Sequence, residues 1–356
     1  MRVRHSPVAG DNLSIYLDLC VLLIPMAAPE IVLHIGLHKA ATRFLQRAVF
    51  ANLDRDRFLF NPDPLFDELR QAMRHPDDTA RAKRAQEAAE LAMERAGERT
   101  IVISDPSISG DMYSSHADYL ENRDLVRHLF PQATILYFVR RQADWLHSAY
   151  RQALVKGPGM PIEFFLNFRA GHFRVRKARR IGNARNVNAL DLRFLDIYRA
   201  YADAFRPERV YLFRQEDLRE RPHDIYQRVA EALGVADLGQ ESGKVSANRS
   251  FSALAIHLFF PGVYRHPRPG RSIEDAPLWI RRLHRRLTKY RTVLIRHGFD
   301  RLIYRDWDLL ARHGMRDLLE AHYEPEYRLL TRISTAMLDE GPGPRARALA
   351  DGPAES

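Results

Sequence analysis

The chain has 356 residues, enough for one large α/β domain or two smaller ones, and a single cysteine, Cys20, which excludes a disulfide framework and any cysteine-built zinc site. Lysine and arginine number 55 against 45 acidic residues, a formal charge of +10. Most of the excess is arginine, whose fork suits phosphate, sulfate and carboxylate, so the expected partner is a nucleotide, an acidic glycan, a nucleic acid or a lipid head group; charge alone does not choose among them.

Residues 1–29 read as an N-terminal extension. Met1-Arg-Val-Arg-His is basic and Ile15 to Ala28 is mostly apolar, but Asp18 interrupts the run, which is also too short to span a bilayer. Met26-Ala-Ala-Pro-Glu leads directly into the first strand, which favours Met26 as the true start and a cytoplasmic protein.

Ile31 to Ile35 has the length and branching of a buried parallel strand, and Phe44, Leu45, Val49 and Leu53 then recur at helical spacing. Between them runs Gly36-Leu-His38-Lys39-Ala40-Ala41-Thr42-Arg43. A loop joining a strand end to a helix start gathers backbone N–H groups and the positive helix end on one anion. Lys39 adds a mobile charge and Thr42 a hydroxyl, a set that suits a phosphate or sulfate ester and not a metal. Lys39 follows Gly36 by three residues, whereas a Walker A lysine directly follows a second glycine. That lowers the odds of an ordinary ATPase or GTPase.

The stretch resembles the 5′-phosphosulfate loop of the sulfotransferases that use 3′-phosphoadenosine 5′-phosphosulfate. Bacterial members carry Gly-x-His-Lys-[Thr/Ser]-Gly-Thr-[Thr/Ser], then an apolar residue and Gln. Gly36, His38, Lys39, Thr42, Leu45 and Gln46 match, while Ala40, Ala41 and Arg43 depart. Ala41 stands where Gly would let backbone approach a phosphate with no Cβ in the way. Arg43 either compensates with charge or marks a changed ligand. The resemblance implies that Gly36, His38, Lys39, Ala40, Ala41, Thr42 and Arg43 hold the 5′-phosphate and that Lys39 is catalytic.

Leu65 to Arg99 reads as helical, and Arg99-Thr-Ile-Val-Ile-Ser104-Asp105-Pro106 as a second buried strand. Ligand groups gather at the carboxyl ends of parallel strands, so Asp105 is expected near the Lys39 loop. The family often places a Glu, or in some branches a His, here to take the acceptor proton. Pro106 occupies the Glu position, which leaves Asp105 as first candidate for the base, with a loop-capping role as the alternative. His38 and His34 stand in reserve, His34 being more in keeping with a packed strand residue.

Ala133 to Val139 forms a third strand ending at Arg140-Arg141, and Asp144 reads as the cap of a helix carrying Ser148. A guanidinium at a strand end and a hydroxyl on the next helix can bracket one phosphate. Arg140 and Ser148 resemble the family's Arg-x7-Ser site for the 3′-phosphate. Val210 to Leu218 reads as a fourth strand running into an acidic turn. Arg249 is a further candidate for the 3′-phosphate.

The basic and aromatic residues of 161–185 can stack a nucleic acid or receive an anionic acceptor. Residues 278–296 read as a basic amphipathic helix suited to an acidic glycan or membrane surface. Leu318 to Met337, with the turn Tyr323-Glu-Pro-Glu-Tyr327, resembles the closing helix of bacterial sulfotransferases. The expectation is therefore an α/β fold: one three-layer P-loop-type parallel sheet over 30–338, helical insertions at 60–98 and 155–190, a helical C-terminal third and a disordered tail over 339–356. The implied reaction moves a sulfuryl group from 3′-phosphoadenosine 5′-phosphosulfate to a hydroxyl or amine, on a glycan or lipid-linked glycan among other acceptors, with no metal and no nucleic acid. The oligomeric state is left open. The alternatives are an ATP-dependent P-loop small-molecule kinase and a catalytically dead binder of the nucleotide or of a sulfated glycan.

Overall fold

Five short apolar runs line up side by side because each is flanked by helices that bury both of its faces, the condition for an all-parallel sheet. The computed structural model describes residues 30–156, 159–175, 180–181, 184–238, 250–265 and 276–351. The sheet strands are β1 (Ile31–His34), β2 (Phe58–Phe60), β3 (Thr100–Ser104), β4 (Thr134–Val139) and β9 (Val210–Arg214), in the order β2-β3-β1-β4-β9 with every pair parallel. β3 and β4 flank β1 on opposite sides, so the strand order reverses there and opens a crevice at the carboxyl ends. The α/β parallel-sheet expectation holds. β2 is the strand that the sequence pattern missed, a three-residue edge piece.

Val32, Leu33, Ile101, Val102, Ile103 and Ile135 to Val139 are buried, the continuous hydrophobic signature of strands covered on two faces. Gly36 continues β1 against β4, with Ile35 N–H donating to Leu136 O and Leu37 N–H to Phe138 O. A Cβ at Gly36 would sit 2.8 Å from His34 Nε2 and 2.9 Å from Phe138 Cβ, so this glycine is set by packing.

The single helix expected over 65–99 is two, Leu65–Arg74 and Thr79–Ala96, broken at His75–Asp78 where Asp78 accepts from the Arg81 N–H as an N-cap. The helical insertion expected at 155–190 is mostly ribbon: after one helical turn, Ile162–Phe165, the pairs β5 (Phe168–Arg169) with β6 (His172–Phe173), and β7 (Arg180–Ile181) with β8 (Ala184–Arg185), run antiparallel. Phe168 and Phe173 meet across the first ribbon at 4.8 Å, and Asn167, Ala170 and Gly171 turn it at positive φ. The expected tail is corrected too. The helix Arg316–Glu340 ends at Gly341, and Pro344–Asp351 forms a further helix that buries Ala346 and Ala350. Tyr323 to Tyr327 is no turn, since Pro325 lies inside the long helix. The 1–29 extension and residues 352–356 lie outside the described residues.

Candidate functional site

The Lys39 loop is held open by backbone geometry that side-chain type does not advertise. Lys39 and Ala41 both adopt positive φ, at 69° and 61°. This turns successive N–H groups outward: those of Lys39, Ala41, Thr42 and Arg43 donate to no acceptor among the described residues. Successive free N–H groups at a helix start are an anion cradle. The helix that follows is short, Thr42–Phe44, and passes through a π-helical turn, Leu45–Val49. Gln46 from that turn donates to Ser104 O and Oγ at 2.8 and 3.1 Å, tying the loop to the end of β3.

Ala41 sits where the left-handed conformation costs a Cβ-bearing residue roughly 1–2 kcal/mol. Ala41→Gly should therefore raise stability by about 0.5–1 kcal/mol in urea unfolding, with no loss of anion binding; a destabilised variant would mean that the Ala41 methyl contributes more by packing than its φ costs.

Thr42 is buried and donates its hydroxyl back to Leu37 O at 3.0 Å, closing the loop on itself. Its hydroxyl proton is thus used in the loop, and what it offers a ligand is its N–H. Ala40 is buried within the turn.

Lys39 lies in a cationic cluster. Burial first, then the charges of Arg43, Arg140 and Arg296, push its ammonium down to about 8. Arg140, at the end of β4, reaches across and donates from Nη1 to the Lys39 carbonyl at 3.5 Å. Burial lowers the Arg140 guanidinium as well, with Asp144 and Glu216 partly offsetting it. Among the described residues, none of the four cations makes an ion pair; Asp144 is taken by Arg316 at 2.8 Å, and Glu216 accepts from the Arg141 N–H at 3.3 Å. Four like charges near one another, offset only in part by Asp144 and Glu216 beside Arg140, favour an anion there. Arg296 was not among the sequence candidates, because nothing in its local pattern separates it from the other arginines of its helix.

The helix after β4 begins at Gln142, so Asp144 stands in its first turn instead of capping it. Ser148 lies on that same helix, partly exposed. The strand-to-helix corner is clamped from far downstream. Glu324 pairs with Arg141 at 3.2 Å, the Tyr327 ring lies 4.9 Å from the Arg141 guanidinium, and Glu326 accepts from Gln142 Nε2 at 3.0 Å and from the Leu195 N–H at 2.8 Å. Burial lifts the Glu326 carboxyl to about 7.

Asp105 follows the end of β3, its N–H bonded to His34 O, and it is buried. One carboxylate oxygen accepts from the Ser107 N–H at 2.9 Å, and the other lies 2.7 Å from Arg70 Nε, an ion-pair contact without hydrogen-bond alignment. Both oxygens are thus engaged in holding the 105–109 turn. His34 is a core residue: its Nδ1 meets Ser104 Oγ at 2.7 Å and burial depresses its imidazole to about 3.

His116 is the residue that the sequence reading missed. It is buried at a left-handed φ of 61°, next to Ser115 at 57°, two strained positions in succession. Its Nδ1 lies 3.0 Å from Ser109 O, which assigns the proton to Nδ1 and leaves Nε2 with a free lone pair and no partner. Its ring packs 5.4 Å from Trp145, whose Nε1 donates to His38 O at 2.6 Å, so it sits behind the anion loop. Burial, then the neighbouring His38, bring it down to about 4. No spacing in the sequence signals it; only strain and burial do.

A cleft of about 650 Å³ lies elsewhere, lined by Tyr150, Phe168, Tyr264, His257 and His313 among others, and it includes no residue of the Lys39 loop. Arg249 lies outside the described residues.

No protein-family model matches the chain. No curated protein matches it either. Among solved structures the chain is similar to a sulfotransferase from Alicyclobacillus acidocaldarius, with 15% identical residues over 79% of this chain and 98% of that one, at a TM-score of 0.36. At that level the likeness adds nothing to what the strand order itself shows.

Proposed function

We propose that the chain transfers a sulfuryl group from 3′-phosphoadenosine 5′-phosphosulfate to a hydroxyl or amine of an acceptor. The observation that carries this reading is the meeting of Lys39 and Arg140: two cations from the loops on either side of the strand-order reversal share one cluster, bridged by the Arg140–Lys39 carbonyl contact. Cations supplied by both loops are what a nucleotide with phosphates at its 3′ and 5′ positions would use, and this supports the reading.

In this reaction the bond between sulfur and the bridging phosphate oxygen breaks, and a bond from sulfur to the acceptor oxygen or nitrogen forms. Adenosine 3′,5′-bisphosphate leaves, and the acceptor loses one proton. Such a transfer depends on positioning and on stabilising charge that spreads over equatorial and leaving oxygens. Lys39 neutralises the leaving oxygen, the free N–H groups of the 39–43 loop hold the 5′-phosphate, and Arg140 with Ser148 fixes the 3′ end. His116 Nε2 is our preferred acceptor of the proton. It is neutral at pH 7, and a bound polyanion beside it raises its affinity for a proton. Asp105 is the runner-up, because its oxygens are occupied by Arg70 and Ser107.

Thermal-shift measurement with adenosine 3′,5′-bisphosphate against ATP plus magnesium tests the reading. The bisphosphate alone should raise the melting temperature. A shift confined to ATP plus magnesium favours a kinase and overturns the proposal. Transfer that survives His116→Ala would move the base to Asp105.

A further inference from the structure

The segment that brings Arg296 to the Lys39 cluster turns a different face outward. The helix Leu278–Val293 continues through a π-helical turn, Leu294–Phe299, and is fixed on its inner side by Ile295, which is buried, and by Arg291 and Arg296, whose guanidiniums lie 4.4 Å from the Phe260 ring and 5.5 Å from the Phe251 ring. On the outer side Trp279, Leu283, Leu287, Tyr290 and Leu294 recur at intervals of four, four, three and four, a single stripe along the helix. All five are 50% to 69% exposed. Beside the stripe stand Arg282, Arg285, Arg286 and Lys289, exposed as well. From 278 to 299 there are seven arginines and lysines and no acidic residue. The patch continues onto Leu258 and Phe259, where Phe259 packs on Phe299 at 5.1 Å, and onto Leu302, which is among the most exposed apolar residues.

We infer that this face docks on an anionic phospholipid surface. A soluble helix face does not ordinarily expose a tryptophan, a tyrosine and three leucines in one line. An acidic glycan would engage the basic sector and give the apolar stripe no cover. A second copy of the chain would bring two sets of like charges together. A bilayer interface satisfies both sectors at once: apolar side chains enter the acyl boundary, Trp279 and Tyr290 sit at head-group depth, and the arginines meet lipid phosphates. No helix among the described residues is long and apolar enough to cross a membrane; the inferred contact is that of a helix face lying on the surface. This inference does not rest on the proposed chemistry. It adds that an acceptor carried by a membrane lipid would meet the anion site beside the segment that carries Arg296.

The test is co-sedimentation of the full chain with vesicles of phosphatidylcholine alone and with about 30% phosphatidylglycerol, together with tryptophan emission. Of the three tryptophans, Trp145 is fully buried and Trp307 is packed against His257, so a blue shift reports Trp279. The expected result is binding to the anionic vesicles only, with a blue shift. Trp279→Glu with Leu287→Glu should abolish it at unchanged melting temperature, and Arg282→Gln with Arg286→Gln and Lys289→Gln should weaken it by about a hundredfold. The inference is overturned by any of three results: no vesicle binding, equal binding to both vesicle types, or binding that the double glutamate variant leaves intact. Self-association lost in that variant, without lipid binding, would likewise overturn it in favour of a dimer interface.

Discussion

Lys39→Met should all but eliminate the proposed sulfuryl transfer and at the same time make the free protein more stable at neutral pH. The two effects have one origin. The Lys39 ammonium is held by the fold among Arg43, Arg140 and Arg296 with little water, which brings it from 10.5 down to about 8. The unfolded chain keeps the ordinary value, so between about pH 8 and 10.5 the unfolded state binds the extra proton. Stability therefore rises with pH across that window, and below it the full penalty is present. With partial exposure allowed for, removing the charge should return about 2 kcal/mol at pH 7, read by urea unfolding. Met keeps the volume and the same positive φ, so the gain is electrostatic. The loss of activity should be about a thousandfold, the scale of deleting one charge-stabilising donor from a transfer site. Anion binding by the wild type should weaken as pH rises through about 8, and that dependence should vanish in the variant. A variant no more stable than wild type, or one whose turnover falls by less than about tenfold, would remove Lys39 from its assigned role.

Arg151→Ala should cost about 3 kcal/mol of stability. Arg151 is buried on the helix after β4, and its guanidinium is fully committed: to Asp306 Oδ1 and Oδ2 at 2.6 and 3.1 Å, Ser250 Oγ at 2.9 Å, and Phe251 O at 2.9 Å. These contacts hold the segment from 250 to 307, including the helix that bears Arg296, against the sheet domain. Burial alone would raise the Asp306 carboxyl, but the hydrogen bonds and charge of Arg151 overcome it and leave it below the usual range. A depressed folded value means stability that is present above the unfolded value and lost as the pH falls towards the folded one. Wild type should therefore lose stability on acidification below about pH 4 more steeply than the variant. Anion binding should fall with it, since Arg296 depends on the same anchor. A change under about 1 kcal/mol in urea would show that solvent already balances the pair.

Much of this architecture was legible in the residues. Buried parallel strands announce themselves as branched apolar runs, and Ile31 to Ile35, Thr100 to Ser104, Ala133 to Val139 and Val210 to Phe213 did so. The Phe58–Phe60 strand did not, because a three-residue edge piece is too short to show a period. The ribbons of 168–185 were masked by an arginine-rich, helix-like composition, and the Pro344–Asp351 helix by the Gly and Pro that flank it. At the site, the charges were legible and the conformations were not. Lys39 and Arg140 could be paired from their positions after neighbouring strands, yet the inward turn of the Thr42 hydroxyl, the arrival of Arg296 and the strained His116 are products of tertiary packing.

The clamp on the Arg140 corner has a consequence for how the molecule comes into being. Its contacts join residues 183 and 184 positions apart, so a growing chain that has already emitted the Lys39 loop and the Arg140 corner still lacks the braces that hold that corner. During synthesis that corner waits for the distal helix to emerge before it gains these braces.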